Sequence, residues 1–469
     1  MLKQYAVYVE NILNQVIETQ VDKIPEIAEK ILDRVATGGK FIIFGAGHGH
    51  VLAEEMLDQK GGFSFPKPYN PQDLFGPPLK AGYVERNYEF AEVFYTMMDL
   101  KPQDALWLIS NSGTNGVVVE LAKRAQEDGS LLIAHTNMNQ TVTVSARHPS
   151  GKKMYEYADY IIDNCGEDGD AGFETVNGKK QGPTSNMIGT FILQALNVCF
   201  ATLLNDSDCT EDDLFNGKYA KQKKVDSEHL KDNLSLYTKK YKEVLMKAVE
   251  TQFPAIIKAA EISSKTVMDE GRNMMFGMVH DHSLVEEIHS RAGTIMCNRS
   301  IVMSNVDIQL YDGVKKAQMY SNIPEYANAL LRSIEPTEKD CFFCITQSSN
   351  EPAMRRFVEL VKENNASVIV HTNKNYADAC SEQSLYLLAD VVLDNCCPAE
   401  ETMMEIGILK VGYPGTSISC FINQCYVISM TRILYENGID MPTRISINTD
   451  KGLVFTEELN RKYFNDTIV

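Results

Sequence analysis

At 469 residues, 44% hydrophobic and 23% charged, the chain has the make-up of a globular protein and is long enough for about two to four domains. Its 63 acidic against 45 basic side chains give a formal charge of −18, which argues against a nucleic-acid partner. Eleven scattered cysteines, an odd number, read as reduced thiols and not as a disulfide framework, with Cys341 and Cys344 buried in an apolar run.

The opening residues MLKQYAVYVENIL lack the basic head and cleavage site of a leader, and no run of 18 apolar residues occurs. A cytoplasmic protein with no membrane contact is therefore expected. Residues 1–37 read as helical and lead into KFIIFG, the first of four short, almost continuously apolar runs. Such runs suit strands covered on both faces, as in a parallel sheet.

The loop GAGHGH (45–50) follows that strand and opens a helix. The third glycine of a dinucleotide-binding G-x-G-x-x-G would fall on His50, so a Rossmann cofactor site is not expected. The loop delivers His48 and His50 instead. With a helix starting near Gly49, His50 and Glu54 share a face and Glu55 sits beside them. A histidine and a carboxylate suit proton transfer, with Glu55 or Glu54 as base and His48 or His50 as acid. The same group would also serve as metal ligands or as a solvated helix face.

After the strand-like ALWLI comes SNSGTN: Ser110, Asn111, Ser112, Gly113, Thr114 and Asn115. Short donors around a glycine, ahead of the helix GVVVELAKRAQEDG, make a phosphate loop; at minimum they make a helix cap. The run LLIAHT ends at Thr136 and Asn137, and RHPSGK (147–152) adds His148 in a long loop. Beyond YIIDN and the acidic DNCGEDGDA, GPTSN presents Thr184 and Ser185 at a helix start. Strands alternating with helices imply doubly wound α/β domains whose ligand site lies at the strands' carboxyl ends, which brings these motifs to one rim.

The plan occurs twice. Gly45 corresponds to Gly277, His135-Thr136-Asn137 to His371-Thr372-Asn373, and ADYIIDNC (158–165) to ADVVLDNC (389–396). Two domains, 1–232 and 233–469, follow, with the acidic stretch 204–214 as a solvated connector. In the second copy Gly47 becomes Val279, the phosphate loop becomes TQSSNEP and RHPSGK is absent, yet His280, His282, Glu286 and Glu287 remain.

SNSGTN resembles the phosphate loop of the SIS (sugar isomerase) domain. GAGHGHVLAEE, GPPLKAGYVER, ARHPSGKKMYEYAD, DNCGEDGDA and GPTSN occur in the order found in a bacterial single-SIS subfamily that opens with G-x-G-H-S-H. The resemblance implies a five-stranded parallel sheet of flavodoxin type in each copy, arranged as a pseudo-dimer, and a phosphosugar ligand. It assigns phosphate binding to Ser110, Ser112, Thr114 and Asn115, and the sugar site to Thr136 and Asn137. SIS domains complete one another's sites, so His280, His282 and Glu287 are expected to contribute across the pair, and further homo-oligomerisation is expected. The activity implied is aldose–ketose isomerisation through an enediol, with neither metal nor redox cofactor. A lyase or deglycase on an amino-sugar phosphate, and a phosphosugar sensor, are the alternatives.

Overall fold

The computed structural model describes residues 1–56, 60–74, 78–289, 291–300, 314–332, 334–449 and 451–464. Gly76 and Pro77 of GPPLKAGYVER lie outside them. In the first copy the strands are β1 Phe41–Gly45, β2 Pro66–Tyr69, β3 Ala105–Ile109, β4 Leu131–Thr136 and β5 Tyr160–Asp163. They pair in parallel in the order β2-β1-β3-β4-β5, the flavodoxin order. An antiparallel hairpin follows, β6 Ala171–Glu174 with β7 Lys180–Pro183.

The second copy repeats this with β8 Asn273–Gly277, β9 Asn298–Ser300, β10 Cys341–Ile345, β11 Ser367–Thr372 and β12 Val391–Asp394, in the order β9-β8-β10-β11-β12. Its hairpin is β13 Met404–Ile406 with β14 Leu409–Val411. Every residue of β1, β3, β4, β8 and β10 is buried, which is why these runs show no polar alternation. The apolar pattern leaves β2 unannounced. Its sequence PKPY has two prolines, which an edge strand tolerates because one side needs no ladder donor. Cys341 and Cys344 are buried, as expected.

One face of each sheet has its own small core. The facing sides share a single core that runs through both copies. At its centre pack the helices Ser185–Asp206 and Gly415–Glu436. The first is long and apolar enough to cross a bilayer, but it is buried within the fold.

Each opening helix packs against its own copy and also reaches the other. Tyr5, on the helix Leu2–Thr19, stacks on Phe421 of the second copy, with ring centroids 5.7 Å apart. Its counterpart Tyr237, on the helix Ser227–Thr251, stacks on Phe191 of the first copy at 5.2 Å and donates to the Phe191 carbonyl at 3.0 Å.

The stretch 204–214 is not the solvated connector its charge suggests. Leu204, Cys209 and Leu214 are buried, and Glu211 accepts from Ser64 Oγ at 2.6 Å, pinning the segment to the first copy. Its acids line one side of a short helical turn, Asp212–Phe215, whose other side is apolar.

Candidate functional site

The loop after β3 forms a cradle. Gly113 takes φ +59°, and a Cβ there would stand 2.9 Å from Thr136 Oγ1, so only glycine lets the loop close on β4. Gly113 N donates to Ser110 Oγ at 3.3 Å. Asn115 precedes the helix Gly116–Asp128, but its side chain does not cap the first turn, so those amides and the positive dipole end face the loop. Arg147 donates to Thr114 Oγ1 at 3.3 Å and to Asn115 Oδ1 at 2.9 Å, bringing a cation to the rim. Ser112 Oγ and Thr184 Oγ1 are buried without a hydrogen-bond partner among the described residues.

Other residues singled out in the sequence hold this loop from behind. Asn111 bridges Gln140 Oε1 (3.0 Å) and Asn164 Nδ2 (2.8 Å). Thr136 bonds Asn111 O and Thr141 Oγ1, at 3.2 and 2.8 Å. Asn137 caps the helix Met138–Thr143 and donates to Glu167 O. His148 lies between Ser150 Oγ and the Glu120 carboxylate, at 2.8 and 2.9 Å. The structure thus brings Ser110, Ser112, Thr114 and Asn115 together, and uses Thr136, Asn137 and His148 as their support.

The helix Gly49–Glu55 meets its counterpart His282–His289 across the two copies. His50 Nε2 lies 3.3 Å from Glu286 Oε2, and His282 Nε2 lies 3.3 Å from Glu54 Oε2. His280 Nε2 lies 3.4 Å from Glu55 Oε2. Burial opposes charge on His50, but Glu286 raises it to about 9, while His50 holds the half-buried Glu286 down to about 2. Glu55 likewise raises His280 against its burial.

The fourth pairing that symmetry would make, His48 with Glu287, is altered by Arg291. This buried guanidinium bonds Glu287 Oε2 at 2.7 Å, Ser185 Oγ at 2.5 Å and Asp170. Asn186 of the first copy also donates to Glu287 Oε2, at 2.9 Å. Burial and the Arg291 charge push His48 down to about 3, and burial raises Glu287 despite Arg291. Ser185, His280, His282 and Glu287 are therefore all part of the contact between the copies.

The sequence reading misses four contributors. Arg291 and Asp170 have no local signature, although DNCGEDGDA marks the turn in which Asp170 sits at φ +72°. Glu85 accepts from Asn115 Nδ2 at 2.7 Å, and burial pushes its carboxyl up to about 7 against Arg86, Asn448 and Asn115. Asn448 reaches back from the second copy, its Oδ1 accepting from Asn115 at 2.9 Å and its carbonyl from Arg147 at 2.8 Å. The GYVER motif carries the only hint, an acid beside the apolar Val84.

The second copy's loop is occupied by its own side chain. Thr346 Oγ1 and Ser348 Oγ, the counterparts of Ser110 and Ser112, donate to the Glu351 carboxylate at 2.5 and 2.6 Å. Ser349 keeps the left-handed turn at φ +53° where the first copy has Gly113.

A sequence profile described as the SIS domain matches residues 4–137 and again 236–373. A UPF0309 protein of Halalkalibacterium halodurans is 39% identical over 197 residues, covering 41% of this chain and 81% of the relative. A UPF0309 protein of Listeria monocytogenes is 29% identical over 211 residues, covering 44% and 85%. Among solved structures, the C-terminal domain of glucosamine-fructose-6-phosphate aminotransferase from Francisella tularensis aligns with 94% of this chain and 97% of its own, at 12% identity and a TM-score of 0.48. Phosphoheptose isomerase from Neisseria gonorrhoeae aligns with 42% of this chain and 97% of its own, at 13% identity and a TM-score of 0.29.

Proposed function

Since the chain belongs to the SIS domain family, we propose that it binds a sugar phosphate between its two copies and interconverts aldose and ketose forms through an enediol. The observation that carries this reading is the meeting, at the contact between the copies, of Glu287 and Arg291 from the second copy with Asp170, Ser185 and Asn186 from the first, next in sequence to the buried Thr184 hydroxyl that has no partner among the described residues.

On this reading the cradle amides, Ser110, Ser112 and Thr114 hold the phosphate dianion, with Arg147 adding charge. Glu287 moves the proton between C2 and C1. Arg291 and Asn186 fix its carboxylate, and Arg291 stabilises the oxyanion that develops on the enediolate. His48 serves the ring oxygen. The base thus shifts from Glu55 to its counterpart Glu287, because Glu55 faces His280, whose neighbour Asp281 borders the occupied second loop through Gln347 N at 3.1 Å.

The test is incubation with hexose and hexosamine 6-phosphates in deuterated water. Solvent deuterium at C1 or C2 is the expected result. Thermal stabilisation without exchange would reassign the protein as a sensor, and release of an amine as a lyase. Neither stabilisation nor exchange with any of the panel would sink the reading.

A further inference from the structure

The function proposed above does not use the pairs His50–Glu286 and His282–Glu54. Each histidine is followed four residues later by the glutamate of the other pair, on the helices Gly49–Glu55 and His282–His289. One helical turn of each copy therefore presents a His and a Glu to the same point on the pseudo-twofold axis. We propose that His50, Glu54, His282 and Glu286 bind one divalent transition-metal ion of the zinc class.

Three of the four donors are already gathered: one ligand atom each from His50, Glu54 and His282 lies within 4.8 Å of the others, all three residues are buried, and Glu286 joins them through His50, 3.3 Å away. The two histidine–carboxylate separations of 3.3 Å match the edge of a tetrahedron with bonds of about 2.0–2.1 Å. Both rings are locked from behind, His50 Nδ1 on Gly47 O at 2.7 Å and His282 Nδ1 on Val279 O at 2.6 Å. A proton on each Nδ1 leaves the Nε2 lone pair facing the axis, the outer-shell arrangement of metal-bound histidine. His282 Nε2 and Glu54 Oε2 are buried 3.3 Å apart without a hydrogen bond among the described residues, so charge alone offsets their burial, and an ion would bond both.

Charge agrees as well. Two carboxylates balance a dication, so the loaded site is neutral inside the fold, and an all N/O donor set fits zinc, iron, cobalt or manganese. The same arrangement explains why the second copy keeps its histidines after its loop lost Gly47's equivalent to Val279: two ligands would come from each side.

The experiment uses the full chain, stripped with a chelator and then dialysed against Zn2+ or Co2+. One metal per chain by elemental analysis is expected, as is a cobalt spectrum of tetrahedral intensity without thiolate charge transfer. His282→Ala and Glu54→Gln should each weaken uptake by at least the roughly 100-fold seen for strong outer-shell losses, while His229→Ala leaves it unchanged. Zn2+ should raise the melting temperature of the parent chain and not that of His282→Ala. Metal content at the blank level, undiminished uptake by Glu54→Gln, or a cobalt spectrum dominated by cysteine would each overturn the proposal, leaving plain ion pairs. Because the parent protein's stoichiometry and cobalt spectrum decide the matter alone, a variant that fails to fold does not shelter it. A failed sugar-phosphate assay would leave this result standing.

Discussion

Ser348 donates its hydroxyl to Glu351 at 2.6 Å, so the second copy's loop holds its own carboxylate where the first copy's loop leaves Ser112 without a partner among the described residues. The two copies of the loop thus differ: the second bonds its own Glu351 through Thr346 and Ser348, and the first has no such bond from Ser112 among the described residues.

Calorimetry with a sugar phosphate is therefore expected to give one equivalent per chain. Ser112→Ala should weaken binding about tenfold or more, the worth of a hydrogen bond to a charged group, whereas Ser348→Ala should leave it unchanged. Two equivalents in the parent chain would contradict the closed second loop.

Turnover separates the two glutamates related by the repeat. Glu287→Gln is expected to slow solvent exchange by about 10²–10⁴-fold, the range for a lost general base, and Glu55→Gln by much less. If Glu55→Gln is the more damaging, the active carboxylate lies on the other side of the axis.

Arg291 is buried against Asp170 and Glu287, so Arg291→Met should cost about 3–5 kcal/mol by urea denaturation, because two carboxylates lose their counter-charge. Adding Asp170→Asn and Glu287→Gln to Arg291→Met should recover part of that loss. Additive losses would mean that the three side chains do not act as one network.

Glu85 makes a pH prediction. Its carboxyl is raised from 4.5 to about 7 in the folded protein, so between those values the folded state holds a proton that the unfolded state has released. Stability should then fall as pH rises from 4.5 to 7, by an amount on the order of 3 kcal/mol, and flatten above. Glu85→Gln should remove that slope and gain relative stability above pH 7. Parallel stability–pH curves for the two proteins would refute the assignment.

The sheets and their rim are legible in the sequence because buried parallel strands and strand-to-helix loops leave local marks: KFIIFG, ALWLI and SNSGTN are each readable alone. The partners across the axis are not. Arg291, Glu85 and Asn448 act on residues far away in the chain, and no period or spacing encodes that meeting. Glu55 and Glu287 look alike as text, and only the path of Arg291 to Ser185 and Asp170 tells them apart. The acidic run 204–214 misleads because charge reports only the exposed half of a segment whose other half, Leu204, Cys209 and Leu214, is packed.

The stacking of Tyr5 on Phe421 and of Tyr237 on Phe191 has a bearing on biogenesis. As the protein emerges from the ribosome, its leading helix can already reach Phe173 of the first repeat, but its stacking on Phe421 waits until the second repeat has been translated. The first repeat must wait with an apolar surface uncovered, a window in which chaperones would be expected to engage it. Cutting the gene into halves should accordingly yield fragments that find each other in the test tube and not two independent proteins.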